Sequence, residues 1–417
     1  MHNFINNIHF RLVNSRIRDY PGIPEKEGDL TTPCGGHHHV LGDESLRRDS
    51  RTASLHIHRT LSELENREAA WRALERAESD PFQTFSWCHS FYSAYEGTIG
   101  APLVFELRVT GESRAFLPCF IEGATVRLAG EGIGLITEVI ADDLDSVFTL
   151  LHAAMGWLAN EDGLSQFHFE TIRESGLLNQ AIQLVEKSGG ESHVNELALT
   201  TCGSVEFGAG LRSYFGGLSE DCRKTEVTAF QNLEKMMPFS RDTVLCDFQI
   251  RVDDLVNAGR FHFENDLSGT ENPFDDESSF DFFGRITKDP DLGFRLGFLT
   301  CQGDLLAVEF GFLRSDTYHV YLTQDESARE SLAPSKYLLQ RRLDSLSLAG
   351  VKRIVYHGTV GSDRSTLSCN HRETFRSLQW MPVRVRNRSR RFGLQSLRHL
   401  RNHFKKMAHE NDATLAR

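Results

Sequence analysis

The chain has 417 residues, 40% of them hydrophobic and 25% charged, and a formal net charge of −12. That length exceeds what one core usually serves and predicts two compact domains with tails. The acidic balance excludes a general nucleic-acid coat and makes DNA an unexpected partner, because phosphate neutralisation needs Lys and Arg in excess.

No stretch approaches the ~20 apolar residues of a membrane helix, and Met1 to Tyr20 scatters Asn, His and Arg among its apolar residues where a leader would carry an apolar block. A cytoplasmic protein with no transmembrane segment is expected. Eight cysteines without a C-x-x-C spacing read as buried reduced thiols.

Residues 1–54 lack sustained periodicity and read as a disordered tail. Within it, Cys34-Gly35-Gly36-His37-His38-His39 lacks the paired spacing of a zinc module, so no metal site is expected. From Thr60 the spacing of Leu61, Leu64, Trp71 and Leu74 predicts helix, and Phe85 to Tyr95 a second, aromatic-rich one. Leu103–Val109 and Arg114–Ile121 read as a hairpin across Thr110-Gly111. A glycine-rich connection (Gly130, Gly132, Gly134) leads to a helix over Leu144–Leu158, a strand at Gln166–Glu170, a helix over Leu177–Val185 and an extended run at Glu196–Thr200.

The second half repeats this order. Helices are predicted over Leu218–Met237, Val252–Asn265 and Phe280–Ile286, then strands at Gly293–Thr300, Leu305–Leu313 and Thr317–Thr323. In the last of these Tyr318, Val320 and Leu322 alternate with His319, Tyr321 and Thr323. Pro334 opens a helix striped by Leu338, Leu339, Leu343 and Leu346, with Gly350 as its left-handed cap. A buried strand at Arg353–Tyr356, a helix over Thr366–Phe375 and a strand at Trp380–Val385 complete the repeat. Asp325 and Glu326 after the third strand read as solvated loop acids, with binding of a cationic acceptor as the alternative, and the acidic run Asp275-Asp276-Glu277 reads as solvated surface. From Arg386 on, Leu394, Leu397, Leu400 and Phe404 at helical spacing among many Arg and Lys form a basic amphipathic helix.

Three blocks carry a resemblance: Pro81-Phe82-Gln83-Thr84-Phe85-Ser86-Trp87, Tyr214-Phe215-Gly216-Gly217-Leu218-Ser219, and Ala333-Pro334-Ser335-Lys336-Tyr337-Leu338-Leu339 followed by Gly350. Over residues 60–400 the chain resembles the GNAT acetyltransferase superfamily, in its two-domain bacterial branch with a BioF-like acetyltransferase domain that includes the CelD protein of cellulose biosynthesis. The resemblance implies an α/β fold of tandem GNAT units, each a mixed central sheet flanked by helices. The units are residues 55–203 and 204–385, the second holding the donor site, with residues 386–417 as the C-terminal helix.

It further implies an N-acetyltransferase passing an acyl group from acetyl-CoA or another acyl-CoA to a small-molecule or saccharide amine, in polysaccharide biosynthesis. Pro334, Ser335, Lys336, Tyr337 and Arg341 would meet the donor pyrophosphate, since a helix N-terminus and added cations suit an anion. Ser335 stands where the family usually has Gly, which narrows that pocket.

Acyl transfer needs a base for the ammonium proton, a polarised carbonyl and an acid for the leaving thiolate. His357, at a strand end before Gly358, suits the base; Tyr321 is the candidate acid, and Glu309 a base or acceptor-binding carboxylate. The competing roles are a hydrogen-bonded structural histidine for His357, core packing for Tyr321 and a solvent-facing strand carboxylate for Glu309. Two rivals accompany this reading: a non-catalytic partner in polysaccharide production, and an aminoacyl-tRNA-dependent peptidyl transferase whose basic tail contacts tRNA.

Overall fold

The computed structural model describes residues 53–76, 80–99, 101–131, 133, 138–187, 192–207, 211–236, 241–247, 250–265, 276–359 and 367–382. The Cys34–His39 cluster, nearly all of the N-terminal tail and the basic C-terminal segment lie outside them.

Strand β1 (Ala53–His58) leads into α1 (Leu61–Glu65), which Thr60 opens with a capping box. The Thr60 hydroxyl accepts the Glu63 N–H and the Glu63 carboxylate accepts the Thr60 N–H, so two orphan donors are satisfied reciprocally. The first half continues through α2 (Glu68–Leu74), α3 (Phe85–Ala94), β2 (Leu103–Val109), β3 (Glu112–Glu122), β4 (Thr125–Leu128), β5 (Ile140–Ala141), α4 (Leu144–Asn160), β6 (Gln166–Arg173), α5 (Leu177–Lys187) and β7 (Ser192–Glu206). The second half holds α6 (Leu211–Gly217), α7 (Glu220–Met236), β8 (Arg241–Cys246), α8 (Val252–Asn265), α9 (Glu277–Ile286), β9 (Phe294–Cys301), β10 (Asp304–Arg314), β11 (Thr317–Asp325), α10 (Pro334–Leu348), β12 (Arg353–Thr359) and β13 (His371–Pro382).

The expected helix over Thr366–Phe375 is corrected: residues from His371 on are strand. Strand partners on both sides outweigh the weak helical periodicity of that stretch. Strand β8 has no counterpart in the sequence reading. Gly350 takes the predicted left-handed conformation, at φ 84°.

The strands form one mixed sheet in the order β1-β2-β3-β4-β6-β13-β7-β12-β11-β10-β9-β8, with β5 against β3. The order is a palindrome of the repeat: in each half an antiparallel run ends in one parallel step, β4 with β6 and β11 with β12. The halves then exchange their last strands. β13 lies between β6 and β7, and β7 reaches across to β12.

The buried side chains gather in four clusters, one of them around Leu233, Leu306 and Leu338 under α7 and α10. Trp71, Trp87 and Phe91 from the first half share a core with Phe282, Phe310 and Phe312 from the second. A second core lies under α4 and α5 around Leu150, Phe167 and Trp380, and a third joins Tyr214, Tyr318, Leu339, Leu343 and Ile354. The seven described cysteines are all free, with Cys88, Cys119, Cys202 and Cys301 buried and Cys222 exposed. Among the described residues no helix is long and apolar enough to cross a membrane, and no cluster could hold a metal ion.

Trp380 on the exchanged strand β13 is fully buried against Phe167 and Phe169 of β6. Trp380→Ala is expected to cost about 3–5 kcal/mol of unfolding free energy, read by urea denaturation. Both halves should unfold in a single transition, since the strand belongs to both.

Candidate active site at a splayed strand pair

Strands β11 and β12 pair in parallel from Thr317 opposite Arg353 to Val320 opposite Tyr356. Beyond that point β11 runs on to Asp325 against β10, while β12 stays with β7. The cause is local. Phe310 on β10 faces Leu322 and the next residue, Gly311, faces Val320, so Tyr321 is an extra residue, a bulge, on β11. Bulges bend a strand and increase its twist. This one falls one residue past the last parallel pair, so the two strands part there. His357 is the first residue of β12 beyond the paired stretch; its side chain lies outside the described residues.

Helix α10 follows β11 through a 3₁₀ segment, Ser327–Leu332, and Ala333 at φ 50°. Its N-terminus, expected to face phosphates, is filled by carboxylates of the chain itself. Asp325, read in the sequence as a solvated loop acid, is 5% exposed and accepts the Ser335 N–H at 2.5 Å, a favourable place for a negative charge.

The Lys336 ammonium lies 3.1 Å from Glu226 of α7. Glu226 is fully buried and also accepts from Gln340 and from both the backbone and hydroxyl of Ser368. Pro334 and Ser335 are buried, Tyr337 stacks on Phe230 at 5.0 Å, and Arg341 is half exposed near Asp344. Of the five residues expected around a donor pyrophosphate, only Arg341 presents an exposed cation.

Glu309 is fully buried, and both of its oxygens are engaged. Tyr318 Oη donates to one at 2.6 Å and Arg342 Nε to the other at 2.6 Å, while Arg342 Nη1 reaches Asp247 at 2.6 Å. Gly297, directly opposite on β9, is required here: a Cβ would come within 2.6 Å of the carboxylate. Burial and the Glu309 charge push the Tyr318 phenol well above its usual range. This network ties α10 to the sheet and leaves Glu309 nothing to offer a substrate.

Tyr321 faces the other way. It stacks on Phe310 at 5.1 Å in the core shared by both halves and donates its hydroxyl to the Ile133 carbonyl of the first half at 2.7 Å. Burial raises its phenol further, so it stays protonated, with that proton committed. Glu309 and Tyr321 therefore do not converge on one reacting centre.

Sequence reasoning missed a chain of charged side chains at the seam, buried at its His319–Asp80 end and partly exposed beyond it. His319 lies 3.5 Å from Asp80, both about 95% buried; Asp80 meets Arg173 of β6 at 3.1 Å, Arg173 meets Glu373 of β13 at 3.4 Å, and Glu373 meets Arg353 of β12 at 3.3 Å. The alternation of β11 signals only that His319 shares a face with Tyr321. Asp276, also read as solvated, caps α9 by accepting the Ser279 N–H. Glu226 had no signal, because it is one of seven charged residues in a helix of seventeen.

Two outcomes are expected. Arg342→Met leaves Glu309 buried without its cation and should destabilise by about 3–5 kcal/mol, while adding Glu309→Leu should recover much of that loss; equilibrium unfolding measures both. Burial lowers the His319 imidazole to about 4, below its unfolded value of about 6.5. The unfolded chain therefore binds the extra proton between those values, and stability falls as pH drops from about 6.5 towards 4. His319→Gln should flatten that part of the stability profile.

No protein-family model matches the chain, and neither does any curated protein. Solved structures do match in fold. FemX is 8% identical at a TM-score of 0.51, over 75% of this chain and 95% of that one. A conserved protein of unknown function from Bacteroides thetaiotaomicron is 12% identical at 0.49, over 78% and 99%. A tandem GNAT protein from the clavulanic acid biosynthesis pathway is 10% identical at 0.46, over 79% and 98%. At such identities the likeness is one of fold alone, a mixed α/β architecture with one large sheet flanked by helices, and the FemX comparison carries it.

Proposed function

We propose that this chain transfers an acyl group from an activated donor to an amine, at the opening between β11 and β12. The observation that carries the reading is the Tyr321 bulge, which parts a parallel strand pair immediately before a helix N-terminus. Among the described residues the pairing of β11 with β12 ends at Val320, and an extended arm such as that of acetyl-CoA or another acyl-CoA can enter between strands that part in this way.

In the reaction, the amine lone pair attacks the donor carbonyl, the C–N bond forms, and the bond from the carbonyl carbon to the leaving sulfur breaks. The ammonium proton passes to a base and the thiolate takes up a proton. His357 is the base in this reading, on its position at the opening and the Gly358 that follows it. Tyr321 and Glu309 serve as positioning residues, the first holding the bulge against the other half and the second anchoring α10.

Asp325 and Glu226 do not fit a pyrophosphate at the first turn of α10, so acyl-CoA phosphates are not assigned to Pro334, Ser335, Lys336 or Tyr337. An amino-sugar or polysaccharide-precursor acceptor rests on the CelD resemblance alone. The same two carboxylates favour a second reading, a non-catalytic partner that keeps the fold without donor chemistry. Transfer from aminoacyl-tRNA has no such observation behind it, because the basic tail lies outside the described residues.

Calorimetric titration with acetyl-CoA and longer acyl-CoAs tests the proposal. Wild-type chain should bind, and Asp325→Asn should bind about tenfold more tightly, equivalent to about 1.4 kcal/mol, by removing a charge that repels the phosphates. His357→Ala should bind equally well and lose turnover of an amine acceptor. Absence of binding to both the wild type and Asp325→Asn sinks the acyl-CoA reading and leaves the non-catalytic one.

A further inference from the structure

Strand β7 sits in the middle of the sheet, yet half of it is uncovered. It pairs with β13 along its whole length, from Ser192 opposite Pro382 to Ser204 opposite His371. Its other edge meets β12 only from Cys202 to Glu206. Among the described residues nothing pairs with that edge from Ser192 to Thr201, and the stretch Glu196–Leu199 is exposed, with Leu197 at 50% and Leu199 at 58%. The pseudo-equivalent strand β13 has no such gap, being paired with β6 as well as β7. A register shift places an extra residue, Leu197, in β7 opposite Ser377 and Leu378, which turns an apolar side chain outward. An uncovered edge with exposed leucines is a site that proteins normally protect.

We propose that the C-terminal segment, residues 386–417, folds back over this edge and lays its Leu394, Leu397, Leu400 and Phe404 stripe on Leu197 and Leu199. Three observations favour this occupant. The last described residue of β13, Pro382, lies directly opposite Ser192, so the segment starts near the gap. The eleven residues between Pro382 and Leu394 span up to about 40 Å when extended, while Ser192 to Leu199 covers about 23 Å of strand. Because β13 runs antiparallel to β7 and its last pair is at Ser192, reaching Leu199 requires a reversal of direction; Gly393, immediately before the stripe, permits that turn.

Charge agrees with this placement. Residues 386–417 hold nine Arg and Lys against two acids, a net +7 in a chain of net −12, which leaves −19 on residues 1–385. The apolar stripe has somewhere to go, and the basic face is attracted to the body it covers. The free edge begins where β12 leaves β7, so the docked segment would flank the strand that carries His357.

Hydrogen–deuterium exchange on the full chain tests this, comparing wild type with the double variant Leu397→Asp/Leu400→Asp. Amides of residues 195–201 are expected to exchange at least tenfold faster in the variant, with amides of β2 and β3 unchanged as the check that the fold is intact. Unchanged exchange at 195–201 overturns the proposal. So does protection in the wild type that grows with protein concentration and survives in the variant, because a second copy would then be the cover.

Discussion

Everything else in this molecule depends on the exchange of terminal strands. Each half is completed by a strand from the other, so β6 has no second neighbour until β13 arrives, and β12 meets β7 in the same way. A backbone donor or acceptor left without a partner in a buried sheet costs free energy, and the exchange satisfies those groups with residues up to about two hundred positions distant. The charged chain from His319 through Asp80, Arg173 and Glu373 to Arg353 runs through the same junction. The two halves are therefore one cooperative body built around a shared seam, and neither keeps a complete sheet alone.

The candidate opening is a consequence of how that body is strained at one residue. The parallel pair β11/β12 would continue if the register allowed it; the extra Tyr321 bends β11 away, and the hydroxyl of the same residue fastens the bend to Ile133 in the first half. The opening of the second half is thus braced by the first. On the opposite face Glu309, Arg342 and Tyr318 hold α10 in place through direct hydrogen bonds, and Gly297 makes the space they need. Buried ion networks of this kind contribute fixed geometry more than net stability.

Much of the fold was legible in the sequence because it is local. Alternation gave β9, β10 and β11, and Pro334, the leucine stripe and Gly350 gave both ends of α10. The exchange was not legible: His371–Pro382 has partners far away in the chain, and no window of neighbouring residues encodes them. The bonding around the candidate residues was not legible. His357 and Tyr321 fall at the opening, yet the lock on α10 depends on Glu226 and Asp325, two acids among fifty-eight. What distinguishes them is burial, a property of the assembled body.

The position of β13 also bears on how the chain comes into being. Synthesis delivers β6 and its hydrophobic underside some two hundred residues before the strand that will cover its edge. Throughout that interval the nascent first half carries an open strand beside Phe167 and Phe169, the kind of surface that recruits wrong partners. The sheet of the first half therefore lacks the strand between β6 and β7 until translation has passed Pro382.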